Sequence, residues 1–278
     1  MIVIADSGST KTDWCFINSK GEVKTVQTIG LNPYFLDADG ILNILKKDLY
    51  PFLDNKKVEQ VFFYGSGCAT PHKKQEVEYA LDSFFIHADI EVENDLLGAA
   101  RALCGSESGL VCILGTGSSS CLYDGKQITE RLPSLGYLLG DEGGGAFLGK
   151  HLVSAYFNNE LPDSLQKLFE QKYTASLAEV LDKVYRQPFP NRYLASFVEF
   201  LIENKPDAFV KNLVGSAFDD FFKKQVLRYT DYEKYPLCFV GSVSFCFADE
   251  LHESAKKHGL EVSKIEQAPL TGLLEFHK

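Results

Sequence analysis

The sequence predicts an α/β protein built from two similar halves. An apolar run that ends in a turn of small and hydroxylated residues occurs at the start of the chain and again near residue 110. After each copy, strand-like and helix-like stretches alternate. A chain of 278 residues is long enough for one large or two medium domains. We therefore expect domains at 1–106 and 107–278, the second with a helical insertion.

The first half opens with a predicted hairpin. Residues 2–5 (IVIA) are apolar and predict a buried strand, the turn DSGSTKTD follows, and residues 14–17 form the returning strand. A third strand at 22–29 extends the meander. The elements then alternate: helix 38–53, strand 58–64, helix 71–85, strand 90–93 and helix 96–104. Three antiparallel strands followed by alternating strand and helix indicate a ribonuclease-H-like domain.

The second half repeats this order with insertions. Residues 110–114 (LVCIL), the turn GTGSSS and residues 121–123 form a second predicted hairpin. The later elements are a strand at 128–132, helices at 146–158, 165–172, 177–185, 191–203 and 207–229, a strand at 237–240, a helix ending near 258, a strand at 260–265 and a short tail. The aromatic residues of the helix at 207–229 recur at helical spacing, which indicates burial in the core.

The first turn has the composition of an anion-binding loop. Gly8 lets the backbone approach a ligand closely, and hydroxyl groups stand beside the N–H groups, from Ser7, Ser9, Thr10 and Thr12. Asp6, at the end of the first strand, is a carboxylate that can hold a hydrated Mg²⁺ on phosphate oxygens. An ordinary hairpin turn rich in turn-forming residues remains the alternative.

Two other nucleotide-binding motifs do not fit. The first turn resembles a Walker loop, but Thr10 stands where glycine is required before Lys11, and a strand follows instead of a helix. The second turn has Gly115 and Gly117 but Ser120 in place of the third glycine of a dinucleotide-binding loop, and it also leads into a strand. Both turns therefore remain hairpin turns with phosphate-binding chemistry.

The composition limits the partners and the compartment. The net charge of −10 argues against nucleic acid and anionic membrane surfaces as partners. No apolar run approaches the roughly 20 residues of a membrane span, and the first strand follows Met1 without room for a signal peptide. The seven cysteines form no CxxC pair, and the six histidines form no HExxH motif. We expect buried thiols in a reducing cytoplasm and no zinc site.

Four motifs carry a family resemblance. DSGSTKTD, GTGSSS, GDEGGG and FVGSV occur in this order across the whole chain. The sequence resembles the N-acetylglucosamine kinase branch of the sugar kinase, heat-shock chaperone and actin superfamily, a branch that also contains ATPase activators of 2-hydroxyacyl-CoA dehydratases. The resemblance implies two actin-like ATPase domains around a nucleotide cleft, with ATP and Mg²⁺ as cofactors. The closing segment from Ala268 to Gly272 is shorter and poorer in glycine than in this family, which leaves the adenine contacts unassigned.

The resemblance also implies roles for individual residues. The nucleotide phosphates are expected on Ser9, Thr10, Lys11, Thr116 and Gly117. The nucleoside is expected on Gly241 and Ser242. The base that takes the proton from the sugar hydroxyl is expected to be Asp95, and further sugar contacts are expected from Asn32, Ser66 and Asp141.

Three of these residues have structural alternatives. Asp95 can be the N-cap of a helix that starts at Leu96, because Asp after Asn is frequent there. Asp141 precedes three glycines and can belong to a plain turn. Asn32 precedes Pro33, and Asn-Pro is a turn signal in any context.

The sequence thus predicts an ATP-dependent kinase that phosphorylates an N-acetylated amino sugar, N-acetylglucosamine or N-acetylmuramic acid. Two alternatives from other classes remain: an ATPase activator of a radical 2-hydroxyacyl-CoA dehydratase, and a non-catalytic sugar-binding regulator. The expected partner is a small-molecule amino sugar, with neither nucleic acid nor membrane, and a homodimer is left open.

Overall fold

The computed structural model describes residues 1–174 and 176–278, and these contain ten strands and thirteen α-helices. The strands are β1 Ile2–Ser7, β2 Lys11–Ile17, β3 Val23–Ile29, β4 Gln60–Gly65, β5 Asp89–Asn94, β6 Gly109–Leu114, β7 Ser118–Tyr123, β8 Ile128–Arg131, β9 Leu237–Val240 and β10 Val262–Glu266. The helices are α1 Ala38–Asp48, α2 Pro71–Phe84, α3 Asp95–Cys104, α4 Gly136–Leu139, α5 Gly145–Phe157, α6 Asp163–Lys172, α7 Leu177–Tyr185, α8 Pro190–Ser196, α9 Val198–Glu203, α10 Ala208–Lys224, α11 Ser242–Cys246, α12 Ala248–Lys257 and α13 Leu270–Phe276.

The chain folds into two compact units. Unit 1 consists of Met1–Glu107, Gly125–Gln127 and Ala268–Lys278, and unit 2 consists of Ser108–Asp124 and Ile128–Gln267. The last eleven residues, which we expected in the second domain, therefore pack in unit 1. The short tail expected here contains the helix α13, Leu270–Phe276.

Each unit contains one five-stranded sheet, and the two sheets have the same design. The strand order is β3-β2-β1-β4-β5 in unit 1 and β10-β9-β6-β7-β8 in unit 2. In the first sheet β1, β2 and β3 form an antiparallel meander, and β4 and β5 continue parallel to β1. In the second sheet β6, β7 and β8 form the meander, and β9 and β10 continue parallel to β6. The predicted α/β fold with two ribonuclease-H-like sheets is confirmed.

The apolar run of β1 is explained by burial on both faces of its sheet. Val3 and Ala5 face the core formed with α1 and α2, whereas Ile4 belongs to the cluster that contains Leu273 of α13. Successive side chains of a strand point to opposite faces, so a strand covered by helices on both sides needs apolar residues at successive positions. The same argument applies to β6, in which Leu110, Val111, Cys112 and Leu114 are all buried.

Three predicted helices differ in extent. Helix α1 ends at Asp48 and not at residue 53, because Pro51 disfavours helical backbone in the residue before it. The helix expected at 191–203 is two helices, separated at Phe197. The helix expected at 207–229 ends at Lys224 and is followed by a short 3₁₀ turn. Its aromatic residues lie in the core as expected.

None of the helices in the described part of the chain is long and apolar enough to cross a membrane.

Candidate active site

The first turn joins β1 to β2 and is held by hydrogen bonds and by the close packing of a neighbouring segment. The N–H group of Gly8 donates to the carbonyl of Lys11 at 2.9 Å, which closes the turn. The hydroxyl oxygens of Ser7 and Thr12 lie 2.8 Å apart beneath it. The neighbouring segment approaches so closely that a Cβ atom at Gly30 would lie 2.3 Å from the Gly8 carbonyl oxygen. Glycine is therefore required at position 30, and the turn has a fixed shape.

Three predicted site residues meet beside this turn. Asn32 donates from Nδ2 to the Ser9 hydroxyl at 3.2 Å, and the hydroxyl oxygens of Ser9 and Ser66 lie 3.4 Å apart. Asn32 also accepts the N–H group of Tyr34 at 2.9 Å and is 5% exposed. Asn32 thus ties the first turn to the loops that follow β3 and β4. Asn32 therefore forms part of an Asn-Pro turn and also contacts Ser9 of the candidate site.

Two carboxylates lie at the same edge of the sheet in unit 1. Asp6 is near the end of β1, and Asp95 directly follows β5, and these strands run parallel with β4 between them. Burial, together with the smaller effects of the negative charges of Asp95 and Asp13, raises the pKa of Asp6 to about 7 against the opposing charge of Lys11. The two carboxylates are therefore close enough to interact electrically.

Helix α3 places Asp95 without using it as the cap. The helix begins at Asp95, and its N-cap is Asn94, whose side-chain oxygen accepts the N–H group of Leu97 at 2.8 Å. The capping alternative for Asp95, with a helix starting at Leu96, is therefore wrong. Asp95 does accept the Leu96 N–H group at 3.0 Å through Oδ1. Asn and Asp are both favourable N-cap residues, so the sequence alone did not show whether Asn94 or Asp95 is the cap.

The chemistry of this edge fits Mg²⁺. Asp6 offers a carboxylate, while Asp13 is engaged by Lys11 at 2.8 Å and by Gln27 at 2.7 Å. Among residues 1–174 and 176–278, no group of three or more His, Cys, Asp or Glu side chains is arranged to hold a metal ion. Mg²⁺ commonly uses one or two carboxylates together with waters and substrate phosphates. Asp6 is therefore the residue that would hold it.

The second turn, residues 115–117, joins β6 to β7 and rests on the start of α5. The carbonyl of Gly115 accepts the N–H group of Gly145 at 2.7 Å, and the carbonyl of Thr116 accepts that of Ala146 at 2.8 Å. The C=O and N–H groups of a trans peptide point in opposite directions. The N–H groups of Thr116 and Gly117 are therefore directed away from α5, as a phosphate-binding turn requires.

Asp141 packs against this second turn. A Cβ atom at Gly117 would lie 2.6 Å from Oδ2 of Asp141, and the Ser118 N–H group donates to the Asp141 carboxylate. Burial raises the pKa of Asp141 to about 6 even though the Ser118 hydrogen bond opposes the shift. Asp141 also closes a turn, since its carbonyl accepts the Gly144 N–H group at 2.9 Å, and it has a left-handed φ of 57°. Unit 2 therefore places this predicted sugar contact beside the predicted phosphate contact.

Ser118 is a candidate that sequence reasoning missed. Its side chain is 6% exposed, and within the described residues its hydroxyl has no hydrogen-bond partner. It is the first residue of β7 and directly follows the turn. A buried hydroxyl without a partner costs free energy, which a phosphate or sugar oxygen would recover. The available signal was its place as the residue after Gly117 in GTGSSS.

The predicted nucleoside residues lie at the end of β9. Gly241 has a φ of 130°, and a Cβ atom there would lie 2.2 Å from the Leu114 carbonyl and 3.1 Å from the Gly115 nitrogen. Glycine is thus required, and it brings the end of β9 against the second turn. Ser242 follows as the first, exposed residue of α11.

The predicted site residues therefore fall into two groups. Unit 1 contains Asp6, Ser9, Thr10, Lys11, Asn32, Ser66 and Asp95, and unit 2 contains Thr116, Gly117, Asp141, Gly241 and Ser242.

No protein-family model matches the sequence, and no curated protein sequence matches it. Solved structures do. A protein from Porphyromonas gingivalis, provisionally assigned as an N-acetylglucosamine kinase, is 44% identical with a TM-score of 0.94, covering 100% of this chain and 98% of that one. A protein from Chromobacterium violaceum with the same provisional assignment is 17% identical with a TM-score of 0.67, covering 100% and 98%.

A third structure shares the fold. The ROK-family glucokinase of Streptomyces griseus, solved with glucose and AMPPNP, is 14% identical with a TM-score of 0.59 and covers 99% of this chain and 97% of that one. At this identity the likeness concerns the fold alone. The similarity to the Porphyromonas gingivalis protein extends over the whole chain and includes both units. The chain thus belongs to the N-acetylglucosamine kinase-like family of sugar kinases, which have the actin-like ATPase fold.

Proposed function

We propose that this protein is an ATP-dependent kinase that phosphorylates an N-acetylated amino sugar, N-acetylglucosamine or N-acetylmuramic acid. The observation that carries the proposal is the 44% identity, over 100% of the chain, to the Porphyromonas gingivalis protein provisionally assigned as an N-acetylglucosamine kinase. The carboxylates of Asp6 and Asp95 at one sheet edge and the backbone donors of residues 115–117 supply chemistry that suits phosphoryl transfer.

Asp95 is the general base of the proposed reaction. Its carboxylate accepts the proton of the sugar hydroxyl as that oxygen attacks the terminal phosphorus of ATP, and ADP leaves. Mg²⁺, held through Asp6, neutralises charge on the phosphates when bound. The hydroxyl groups and N–H groups of Ser9, Thr10 and Lys11 orient phosphate oxygens in unit 1. The N–H groups of Thr116 and Gly117 do so in unit 2.

The sugar is recognised by the amide and hydroxyl groups beside the first turn. Ser66 and Asn32 lie next to Ser9, and Asp141 supplies an acceptor in unit 2. Buried donors that pair with an N-acetyl group are left without partners when the substrate lacks it, which is how large specificity ratios arise. Gly241 and Ser242 are proposed to contact the nucleoside. The proposed location of the protein is the cytoplasm, where thiols stay reduced.

No observation favours the activator alternative. An activator of this kind needs cysteine thiolates at a surface shared by two protomers to ligate an iron–sulfur cluster. Cys15, Cys68, Cys112, Cys121 and Cys238 are buried in the described structure. Burial also raises the pKa of Cys68 to about 12 and that of Cys112 well above its ordinary value, which disfavours thiolate. We expect a colourless protein after purification without oxygen.

The test is ADP release with a panel of N-acetylglucosamine, N-acetylmuramic acid, glucosamine and glucose. The proposal predicts a much higher kcat/KM for an N-acetylated sugar than for glucose. Equal values for glucose would contradict the amino-sugar assignment. ATP turnover that no sugar stimulates would contradict the kinase itself.

A further inference from the structure

The C-terminal helix α13 is anchored in unit 1 by contacts that the reaction does not use. Its backbone touches α3, because a Cβ atom at Gly272 would lie 2.2 Å from the Ala102 carbonyl oxygen. Leu273 is completely buried in a cluster with Ile4 of β1 and Tyr64 of β4. Helix α13 is therefore an integral part of unit 1 and lies directly on the helix that begins with Asp95.

A chain of hydrogen bonds crosses this contact. Arg101 of α3 donates from Nη1 to the Tyr64 hydroxyl at 2.7 Å and to Glu91 of β5 at 2.8 Å. The Tyr64 hydroxyl lies 2.8 Å from Nε2 of His277, the residue after α13. A guanidinium only donates, so the Tyr64 oxygen accepts from Arg101 and its own proton is left to donate to His277. With Tyr64 as the donor in this bond, His277 is neutral and carries its proton on Nδ1.

The surroundings keep His277 neutral. Burial and the nearby positive charge of Arg101 lower the pKa of His277 to about 4, against a smaller opposing effect of Glu91. The imidazole stacks on Phe62 of β4 with ring centroids 3.9 Å apart. The guanidinium of Arg101 lies 5.1 Å from the ring centroid of Phe276. Ring stacking on Phe62 and the hydrogen bond to Tyr64 thus both hold the end of α13 against β4.

The hydrogen-bond chain joins elements that carry site residues. Tyr64 is two residues before Ser66, and Arg101 is on the helix that begins at Asp95. The Tyr64 ring lies directly under α3, since a Cβ atom at Gly98 would be 2.7 Å from its Cγ atom. The position of α3 over the end of β4 therefore depends on the contacts of Tyr64.

We propose that Arg101, Tyr64 and His277 form a positioning device, through which α13 fixes α3 and thereby sets Asp95 relative to Ser66. Their side chains hydrogen-bond to one another and to Glu91, and the effect we propose on the reaction is indirect. The inference rests on the proposed function only in taking Asp95 as the general base. A displacement of about 1 Å in a catalytic group can reduce turnover by roughly 100-fold, so a support of this kind has a measurable effect.

The test uses variants that change one contact each. Tyr64→Phe keeps the ring and removes the hydroxyl, His277→Leu removes the acceptor, and His277→Gln returns a hydrogen-bonding group. We expect Tyr64→Phe and His277→Leu to lower kcat by roughly 10- to 100-fold with an unchanged KM for ATP. We expect His277→Gln to recover most of this loss.

Asn55→Ala is the matched control in unit 1. Asn55 is 8% exposed and donates to the Phe84 carbonyl at 2.5 Å, so its loss also removes a buried hydrogen bond. We expect it to lower Tm and to leave kcat unchanged. If Tyr64→Phe and His277→Leu behave like this control, with lower Tm and wild-type kcat well below Tm, the three residues are only structural and the proposal is overturned.

Hydrogen exchange separates this proposal from the proposed function. Backbone amides at the start of α3, at Leu96 and Leu97, should exchange faster in Tyr64→Phe and His277→Leu than in the wild type or Asn55→Ala, whether or not the protein phosphorylates a sugar. Unchanged exchange there would overturn the positioning device. An inactive wild-type protein with faster exchange in the variants would overturn only the proposed function.

Discussion

The two units share one sheet design and differ in the chemistry at the strand ends. In unit 1 the fifth residue of β1 is Asp6, and the residue after β5 is Asp95. In unit 2 the fifth residue of β6 is Ile113, and the residue after β10 is Gln267. Asp6 and Asp95 thus lie at the strand ends of unit 1, whereas the candidate-site carboxylate of unit 2, Asp141, lies beside the second turn, although the strand order is the same in both units. The proposed roles in proton transfer and Mg²⁺ binding both fall to residues of unit 1.

The two turns also differ in the groups that hold them in place. The first has residues 8–11 between the paired Ser7 and Thr12, and its hydroxyl groups hydrogen-bond to one another and to Asn32. The second has residues 115–117 between Leu114 and Ser118, and it is supported by the N-terminus of α5. Side-chain hydroxyl groups help to hold the first turn, whereas backbone hydrogen bonds to α5 support the second, and we propose that the N–H groups of the second turn bind phosphate. The variants below test this division.

The largest effect is expected from Asp95→Asn. Loss of the proton acceptor should lower kcat by roughly 10²- to 10⁴-fold, the usual contribution of a positioned general base. Tm should change little, because the cap of α3 is Asn94 and the Asn side chain still accepts the Leu96 N–H group. Steady-state kinetics and thermal melts measure both. The control is Gln267→Ala, directly after the last strand of the other sheet, which should leave kcat unchanged. A normal rate in Asp95→Asn would remove Asp95 from the mechanism.

Gly117→Ala should act on nucleotide binding. The new Cβ atom would lie 2.6 Å from Oδ2 of Asp141, so the turn or the carboxylate must move. Overpacking of this kind costs about 1–3 kcal/mol, and we expect the displaced turn to incur this cost again when it returns to its phosphate-binding shape, which would weaken the Kd by roughly 5- to 150-fold. Calorimetry with a non-hydrolysable ATP analogue measures it. Gly215→Ala in α10, with no atom within 4 Å of the added Cβ, is the control and should bind normally.

Asp6→Asn should change the pH dependence of stability. The pKa of Asp6 is about 7 in the folded protein, against an ordinary value of 3.8, so between these values the folded state binds more protons than the unfolded state. Stability of the free protein should therefore fall as the pH rises from about 4 to about 7. Urea midpoints across this range should show a weaker fall in Asp6→Asn. Equal slopes would contradict the burial of a carboxylate at this edge.

The smallest effect is expected for His277. Its pKa is about 4 in the folded protein, against an ordinary value of 6.5, and its charged or titratable neighbours are Arg101, Glu91 and Tyr64. The unfolded state then binds more protons between these values, so this contribution to stability is complete above about 6.5 and is lost as the pH falls towards 4. The difference in urea midpoint between wild type and His277→Gln should narrow on acidification. A difference independent of pH would contradict a neutral, buried imidazole.

The repeated meander could be predicted because its signals are local. Apolar runs, hydroxylated turns and helical spacing lie within a few residues of one another, and the strand Leu237–Val240 and the helix Leu177–Tyr185 have the predicted bounds. The place of α13 could not be predicted, because it depends on the contact of Gly272 with the backbone of α3 far away in the sequence. A glycine in a short apolar segment gives no indication of its partner.

The site was predictable as a set of residue types and not as a set of contacts. The turns follow from the motifs, since glycine-rich turns are local features, whereas the role of Asp95 was implied by the family resemblance and stays a prediction. The bond from Asn32 to Ser9 and the contact of Asp141 with Gly117 join segments separated by more than twenty residues. Ser118 was missed because its importance lies in burial without a partner, which only the packed structure reveals.

The central claim, that proton transfer belongs to unit 1 and backbone phosphate binding to the turn of unit 2, is tested most directly by comparing two variants in two assays. Turnover with N-acetylglucosamine and the Kd of a non-hydrolysable ATP analogue are measured for Asp95→Asn and Gly117→Ala. The account predicts that Asp95→Asn loses turnover and keeps the wild-type Kd, whereas Gly117→Ala weakens binding of the analogue. Equal loss of binding in both variants, or normal binding in Gly117→Ala, would contradict it.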